Sequence, residues 1–278
     1  MRKMKSIGKY DLAVSIGNID FLDKNGFEAM LSSGIKGIEL SFNDYSGVDF
    51  KSVKKIADDC GIALWSLHLP FMPFDKIDIS STDSKMREEN IAFLCNLISE
   101  SADIGINRFV IHASGEPVLP PVRSERMKCS KDSLYKLSEF AKKQSAVIAV
   151  ENLPRTCLGN CCNEINELTS VNDNLLVCFD TNHLLCETAN DFVKNLNKNI
   201  ETVHISDYDF VGEKHWLPGY GKVDWNEITS LLDSKQYVGP WLYEISFSPK
   251  NLPDKTEITF DDIYGNYCDL FNVKKDFL

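Results

Sequence analysis

SKMREENIAFLCNLISESADIGINRFVIHAS, residues 84–114, holds one complete unit of the architecture. Its first part spaces apolar residues three and four apart with charges between them, the pattern of an amphipathic helix. Gly105 follows, where a helix wants a left-handed C-cap. Then comes FVIH, a short apolar run without in–out alternation, as parallel strands covered on both faces require. The unit repeats in both directions. Strand-like runs are read at 12–15, 37–40, 63–68, 109–112, 147–151, 175–180, 202–206 and 241–244. Amphipathic stretches such as SERMKCSKDSLYKLSEFAKKQ lie between them, and Gly34 and Gly61 close two more helical segments. Eight strands alternating with helices predict an α/β fold, a (β/α)8 TIM barrel forming a single domain over residues 1–278. An open doubly wound sheet ranks second, because no G-x-G-x-x-G follows the first strand.

A hydrophobic fraction of 43% is ample for the core of such a barrel. The formal net charge of −11 argues against a polyanion, and so against nucleic acid, as the main partner. The N-terminal MRKMKSIGKYDLAV is basic but lacks the apolar stretch of a signal peptide. No window approaches the apolar length of a membrane span. A cytoplasmic protein without a membrane partner is therefore expected. The nine cysteines are odd in number and contain no paired C-x-x-C motifs, so reduced thiols are expected. A thiolate metal site at Cys157, Cys161 and Cys162 is the minor alternative.

His68, His112, His183 and His204 lie at or just after the ends of apolar runs, and His215 lies in the loop after the seventh. Glu151, Asp180 and Glu244 end similar runs. In a parallel barrel these ends converge on one mouth, where such folds place their chemistry. One strand-end acid alone would be read as a helix cap or an ion-pair partner. Glu151, Asp180, His204 and Glu244 on four consecutive strands instead suit a divalent ion: Mn²⁺, Zn²⁺, Co²⁺ or Mg²⁺. His68, His112, His183, Glu213 and His215 then supply either one or two further ions or polar contacts to a hydroxylated ligand. One ion is expected, with donors for as many as three.

Weaker signals surround this set. Glu39 ends the second strand and can hydrogen-bond a sugar hydroxyl or serve as a cap or buried ion pair. Phe71 and Trp216 are expected to wall the pocket. Arg123, Arg155 and Lys214 could meet a phosphate, but no Gly-rich cradle follows the seventh or eighth strand, so phosphorylation of the substrate stays open.

The motifs GIKGIELS, SLHLPF, VIHAS, VENLPRTCLGN, FDTNH, HISDYD, EKHWLPGYGKVDW and YEIS run from the second strand to the eighth. Together they resemble the sugar phosphate isomerase/epimerase family of the xylose-isomerase-like TIM-barrel superfamily, which also includes the type-IV apurinic endonucleases. Resemblance to the ketose 3-epimerase branch implies that Glu151, Asp180, His204 and Glu244 hold one Mn²⁺-like ion. It also implies that Glu151 and Glu244 act as acid and base on opposite faces of the substrate carbon, with His183 contacting substrate. Those epimerases carry an arginine shortly after the strand-seven histidine, where this chain reads DYDFVGE. Resemblance to the endonuclease branch implies three zinc ions, with His68, His112, His183, Glu213 and His215 completing the ligand set; Glu213 stands where that branch has aspartate.

The expected activity is a metal-dependent sugar, sugar phosphate or polyol isomerase or epimerase, moving a proton next to a carbonyl polarised by the ion. The alternatives are an endonuclease-IV-like zinc phosphodiesterase acting on abasic DNA, and a non-catalytic sugar-binding barrel.

Overall fold

A computed structural model describes residues 7–249 and 256–273. Its strands are β1 (Leu12–Ile16), β2 (Gly37–Ser41), β3 (Ala63–His68), β4 (Arg108–Ile111), β5 (Val147–Glu151), β6 (Leu175–Asp180), β7 (Ile200–His204) and β8 (Trp241–Tyr243). Its helices are α1 (Lys24–Ser32), α2 (Phe50–Cys60), α3 (Ser84–Ala102), α4 (Pro120–Lys143), α5 (Cys162–Thr169), α6 (Ala189–Asn195), α7 (Trp225–Ser234) and α8 (Phe260–Phe271). One parallel sheet runs β7-β6-β5-β4-β3-β2-β1-β8. Ile205 closes it, donating to Leu242 O at 2.8 Å and accepting from Glu244 N at 3.1 Å. The predicted (β/α)8 barrel is present.

Strand phase divides the interior in two. Outward residues such as Val14, Ile38, Phe109, Ile148, Val177 and Val203 join the helices in one large apolar core. Inward residues form two small clusters, Ala13–Trp65–Leu242 and Val110–Ala149–Cys178. Toward the strands' C-terminal ends the inward positions turn polar: Ser15, Glu39, Ser66, Glu151, Asp180 and His204 are all buried. Burying that many polar groups is costly unless they pair or hold an ion, so the apolar part of the barrel is a plinth beneath a polar floor.

Boundaries differ from the expected ones by one or two residues. β4 ends at Ile111, leaving His112 one residue past it, and β7 starts and ends two residues earlier than expected. α4 begins at Pro120, four residues before the amphipathic stretch that starts at Ser124, because proline is well suited to the first helical turn. Gly61 caps α2 at φ 70°, and Gly34 turns at φ 71° with the Tyr264 ring only 2.8 Å from where a Cβ would stand. Asp49, Asp83 and Asp224 each accept two backbone N–H groups at the starts of α2, α3 and α7.

Candidate metal centre

Glu151, Asp180 and His204 end β5, β6 and β7, and Glu244 follows β8 by one residue. Each offers one ligand atom, and these four atoms lie within 4.8 Å of one another. His204 Nδ1 stands 3.0 Å from Glu151 Oε1, 3.3 Å from Glu244 Oε2 and 3.8 Å from Asp180 Oδ2. The first three residues are fully buried, while the Glu244 side chain is 21% exposed and is the member that faces solvent.

Asp180 is set by its neighbours. Asn152 accepts from Asp180 N and donates to Asp180 O, extending the β5–β6 ladder by a side chain. Asp180 Oδ1 accepts from Asn182 N at 2.5 Å, whereas Oδ2 has no hydrogen-bond partner despite complete burial. Burial, with Glu244 and Glu151 alongside, pushes the Asp180 carboxyl well above the usual carboxylate range. Burial also works against ionisation of Glu151 and Glu244, but the neighbouring imidazoles, His204 with His112 and His68 for Glu151 and His204 with His215 for Glu244, together hold both below that range. An unsatisfied carboxylate oxygen aimed at two further acids and an imidazole is a donor set that fits a divalent cation.

Two further groups flank this centre. His68 Nε2 and His112 Nε2 both approach Glu151 Oε2, each at 3.1 Å. His183 Nε2 lies 3.1 Å from Glu213 Oε1, and His183, Glu213 and His215 form a cluster of their own. His68 Nδ1 bonds Leu69 O and His183 Nδ1 bonds Asn152 O, both at 2.9 Å. Carbonyls accept only, so each Nδ1 carries a proton, and each Nε2 faces a carboxylate. Burial pushes His183 down to about 4 and lowers His112 as well. All nine candidate ligands thus converge on one mouth.

Glu39 is placed differently from the expected sugar contact. It is fully buried beneath His204, its oxygens accepting from Ser15 Oγ at 3.0 Å and Ser66 Oγ at 2.7 Å. Phe71 stacks on His112. Trp216 is half-buried, its backbone paired with Asp207 and the Lys214 ammonium 5.7 Å from its ring centroid. The three cations weighed for phosphate are paired: Arg123 with Glu164, Arg155 with Glu116 and Glu213, and Lys214 with Asp209. Cys157, Cys161 and Cys162 form no metal-binding group among the described residues. Two clefts open beside Glu244, one of about 400 Å³ bordered by Ser15, Asn18, Ser41 and Phe247, the other of about 500 Å³ bordered by Glu213, Lys214, His215 and Ser246.

Sequence reading missed several residues here. Asn182 Oδ1 accepts from Lys214 N and His215 N, tying the post-β6 and post-β7 loops together. Asp207 gathers Tyr208 N, Val223 N, Gly219 N and Trp225 Nε1, fixing the long loop that carries Glu213 and His215. Cys178 brings its thiol within 4.8 Å of ligand atoms of Glu151 and His204. Its position two residues before Asp180, in the same inward phase, was the available signal.

A family model described as xylose isomerase-like TIM barrel matches residues 27–260. The chain belongs to that family. No curated protein matches the sequence. Among solved structures, this xylose isomerase-like barrel is similar to a D-tagatose 3-epimerase-like protein (19% identity, TM-score 0.75, covering 96% of this chain and 100% of that one). It is also similar to the 3-keto-D-glucoside 4-epimerase YcjR from E. coli (17%, TM-score 0.75, 95% and 100%). A third is the D-psicose 3-epimerase from Clostridium cellulolyticum H10, solved with D-tagatose (16%, TM-score 0.74, 93% and 96%). At these identities the likeness concerns the fold. Among the described residues of this family member, no helix is long and apolar enough to cross a membrane.

Proposed function

We propose that the chain is a cytoplasmic, single-domain, metal-dependent epimerase or isomerase of a small sugar or polyol. The observation that carries this reading is the buried set Glu151, Asp180, His204 and Glu244, with the unpartnered Asp180 Oδ2 turned into it. These four residues would hold a divalent ion, which when bound would supply Lewis acidity to a carbonyl and so acidify the C–H beside it. Glu244 borders both clefts, so its carboxylate has direct access to that proton. Glu151, whose Oε1 lies 3.0 Å from the same His204 Nδ1 that Glu244 approaches, is the second carboxylate, and the resemblance to ketose 3-epimerases assigns it the proton on the opposite face. Asp180 and His204 would serve to hold the ion.

Support also comes from the family and from the sugar epimerases that share its fold. The test is exchange of a substrate C–H with solvent deuterium across a panel of ketoses and aldoses. Glu244→Gln keeps an oxygen but loses the base, so exchange should fall by at least about a hundredfold. No exchange with any sugar by the metal-loaded protein would end this reading.

A second reading is favoured by one observation. His68 and His183 each turn Nε2 to a carboxylate while Nδ1 donates to a carbonyl, a contact that a proton or a cation between Nε2 and the carboxylate makes favourable. Ions at both places would give a trinuclear centre of the kind used by zinc phosphodiesterases acting on abasic DNA. The net charge of −11 and the paired rim cations weigh against DNA. Three zinc ions per chain together with nicking of abasic duplex would establish this second reading instead.

A further inference from the structure

Resting on the metal-centred reading above, we propose that Glu39 is a positioning residue for His204: it accepts the Nε2–H of the imidazole and so fixes the tautomer whose Nδ1 lone pair faces the ion. His204 Nδ1 is the nitrogen turned to Glu151, Asp180 and Glu244. A neutral imidazole carries one N–H, so an Nδ1 that gives its lone pair to a cation leaves the proton on Nε2. That atom is fully buried, and a buried N–H needs an acceptor.

Glu39 Oε1 lies 3.1 Å from His204 Nε2, close enough for a hydrogen bond but off its direction, so Nε2 is unpartnered as the ring stands. A small turn of the imidazole makes the bond. The Cys178 thiol also lies within 4.8 Å of a ligand atom of His204, but sulfur is a weak acceptor beside a carboxylate.

Glu39 is itself held in place from both sides. Ser15 on β1 and Ser66 on β3 are its register partners, and each gives its hydroxyl to a different carboxylate oxygen. A fully buried carboxylate with only two neutral donors is poorly compensated for the loss of water. An imidazole N–H polarised by a cation on its other nitrogen supplies the missing partner. Glu39 on β2 would thus act through His204 on β7 on a site whose other ligands come from β5, β6 and the residue after β8.

The experiment is Glu39→Gln, which keeps volume and one accepting oxygen but removes the charge. The dissociation constant for Co²⁺, measured by competition with a chelator, should weaken about 10–100-fold, the scale for losing such a partner. The circular dichroism and melting of the chelator-treated variant should match those of treated wild type. Independently, ¹⁵N NMR of the zinc-loaded wild type should find the His204 proton on Nε2. Unchanged Co²⁺ affinity in a folded E39Q, or a His204 proton on Nδ1, would overturn the role of Glu39 alone. If E39Q does not fold, the NMR measurement decides. A wild type that takes up no ion would remove the metal-centred reading and this role together.

Discussion

Phe71 lies nearly parallel to the His112 imidazole, with centroids 4.0 Å apart and planes at 27°. The contact joins the post-β3 loop to the residue just past β4, at the edge of the site. Asp78 supports the same junction, accepting from Ser80 N at 2.9 Å and Gly115 N at 3.1 Å while pairing with Arg126. Phe71→Ala should therefore destabilise the protein by about 1–2 kcal/mol, of which about 0.5–1.5 belongs to the ring pair itself. Phe71→Leu should recover the apolar burial but not the stacking. Urea unfolding distinguishes them; an alanine variant with the wild-type midpoint would contradict the packing role.

Removal of a bound ion should be felt by the whole barrel. Glu151, Asp180 and Glu244 repel one another, and the Asp180 carboxyl is already pushed well above its usual range by burial and by those neighbours. Chelation should lower Tm, and Mn²⁺ or Zn²⁺ should restore it; an ion at a hundred times its Kd adds about 2.7 kcal/mol. A Tm indifferent to chelator, in protein verified free of metal, would argue that the site does not couple to folding.

The rim pair Glu116–Arg155 gives a pH-dependent outcome. Hydrogen bonding to Arg155 holds the Glu116 carboxyl below the usual carboxylate range, with partial burial opposing. A folded value below the unfolded one, about 4.3, means the stabilisation is fully present above that pH. It is lost as pH falls through the folded value. Glu116→Gln should then be less stable than wild type near pH 7 by a few tenths to about 1 kcal/mol, the scale of a partly exposed pair. The difference should close under acid. A gap that persists unchanged at pH 3 would assign the loss to packing.

Thiol chemistry should separate the cysteines cleanly. Burial pushes Cys157 up to about 12 and Cys162 to about 11, while Cys186 is exposed. Thiolates are the reactive form, so native alkylation at pH 8 should modify Cys186 and leave Cys157 and Cys162 intact until the protein unfolds. Mass spectrometry of peptides reads this directly. Fast labelling of Cys157 only after chelation would revive a thiolate metal site in that loop.

The barrel was legible because parallel strands covered on both faces leave continuous apolar runs, as in LLVCF before Asp180. The convergence of strand-end acids and histidines followed from the architecture. Glu39 was not legible in the same way. A strand-end acid reads alike whether it faces the mouth or lies beneath a ligand. Only the cross-strand register, with the irregularity between Ile38 and Glu39 that sets it beside Ser66, decides the matter. Arg155 was likewise weighed for a phosphate, because its partners Glu116 and Glu213 come from loops after other strands. Contacts between loops carry no periodic signal. Asn152 and Asn182 were hidden for a related reason: their side chains replace backbone hydrogen bonds, and the sequence marks neither.

Ile205 joins the first and last members of the sheet order through two backbone hydrogen bonds, and the residues on either side of that seam are His204 and Glu244. The barrel is thus stitched most sparsely where two of its proposed ligands meet. An ion gripped by both would act as a rivet through the joint, reinforcing the two backbone hydrogen bonds that close the hoop. Loading of such an ion would then stiffen the joint between β7 and β8.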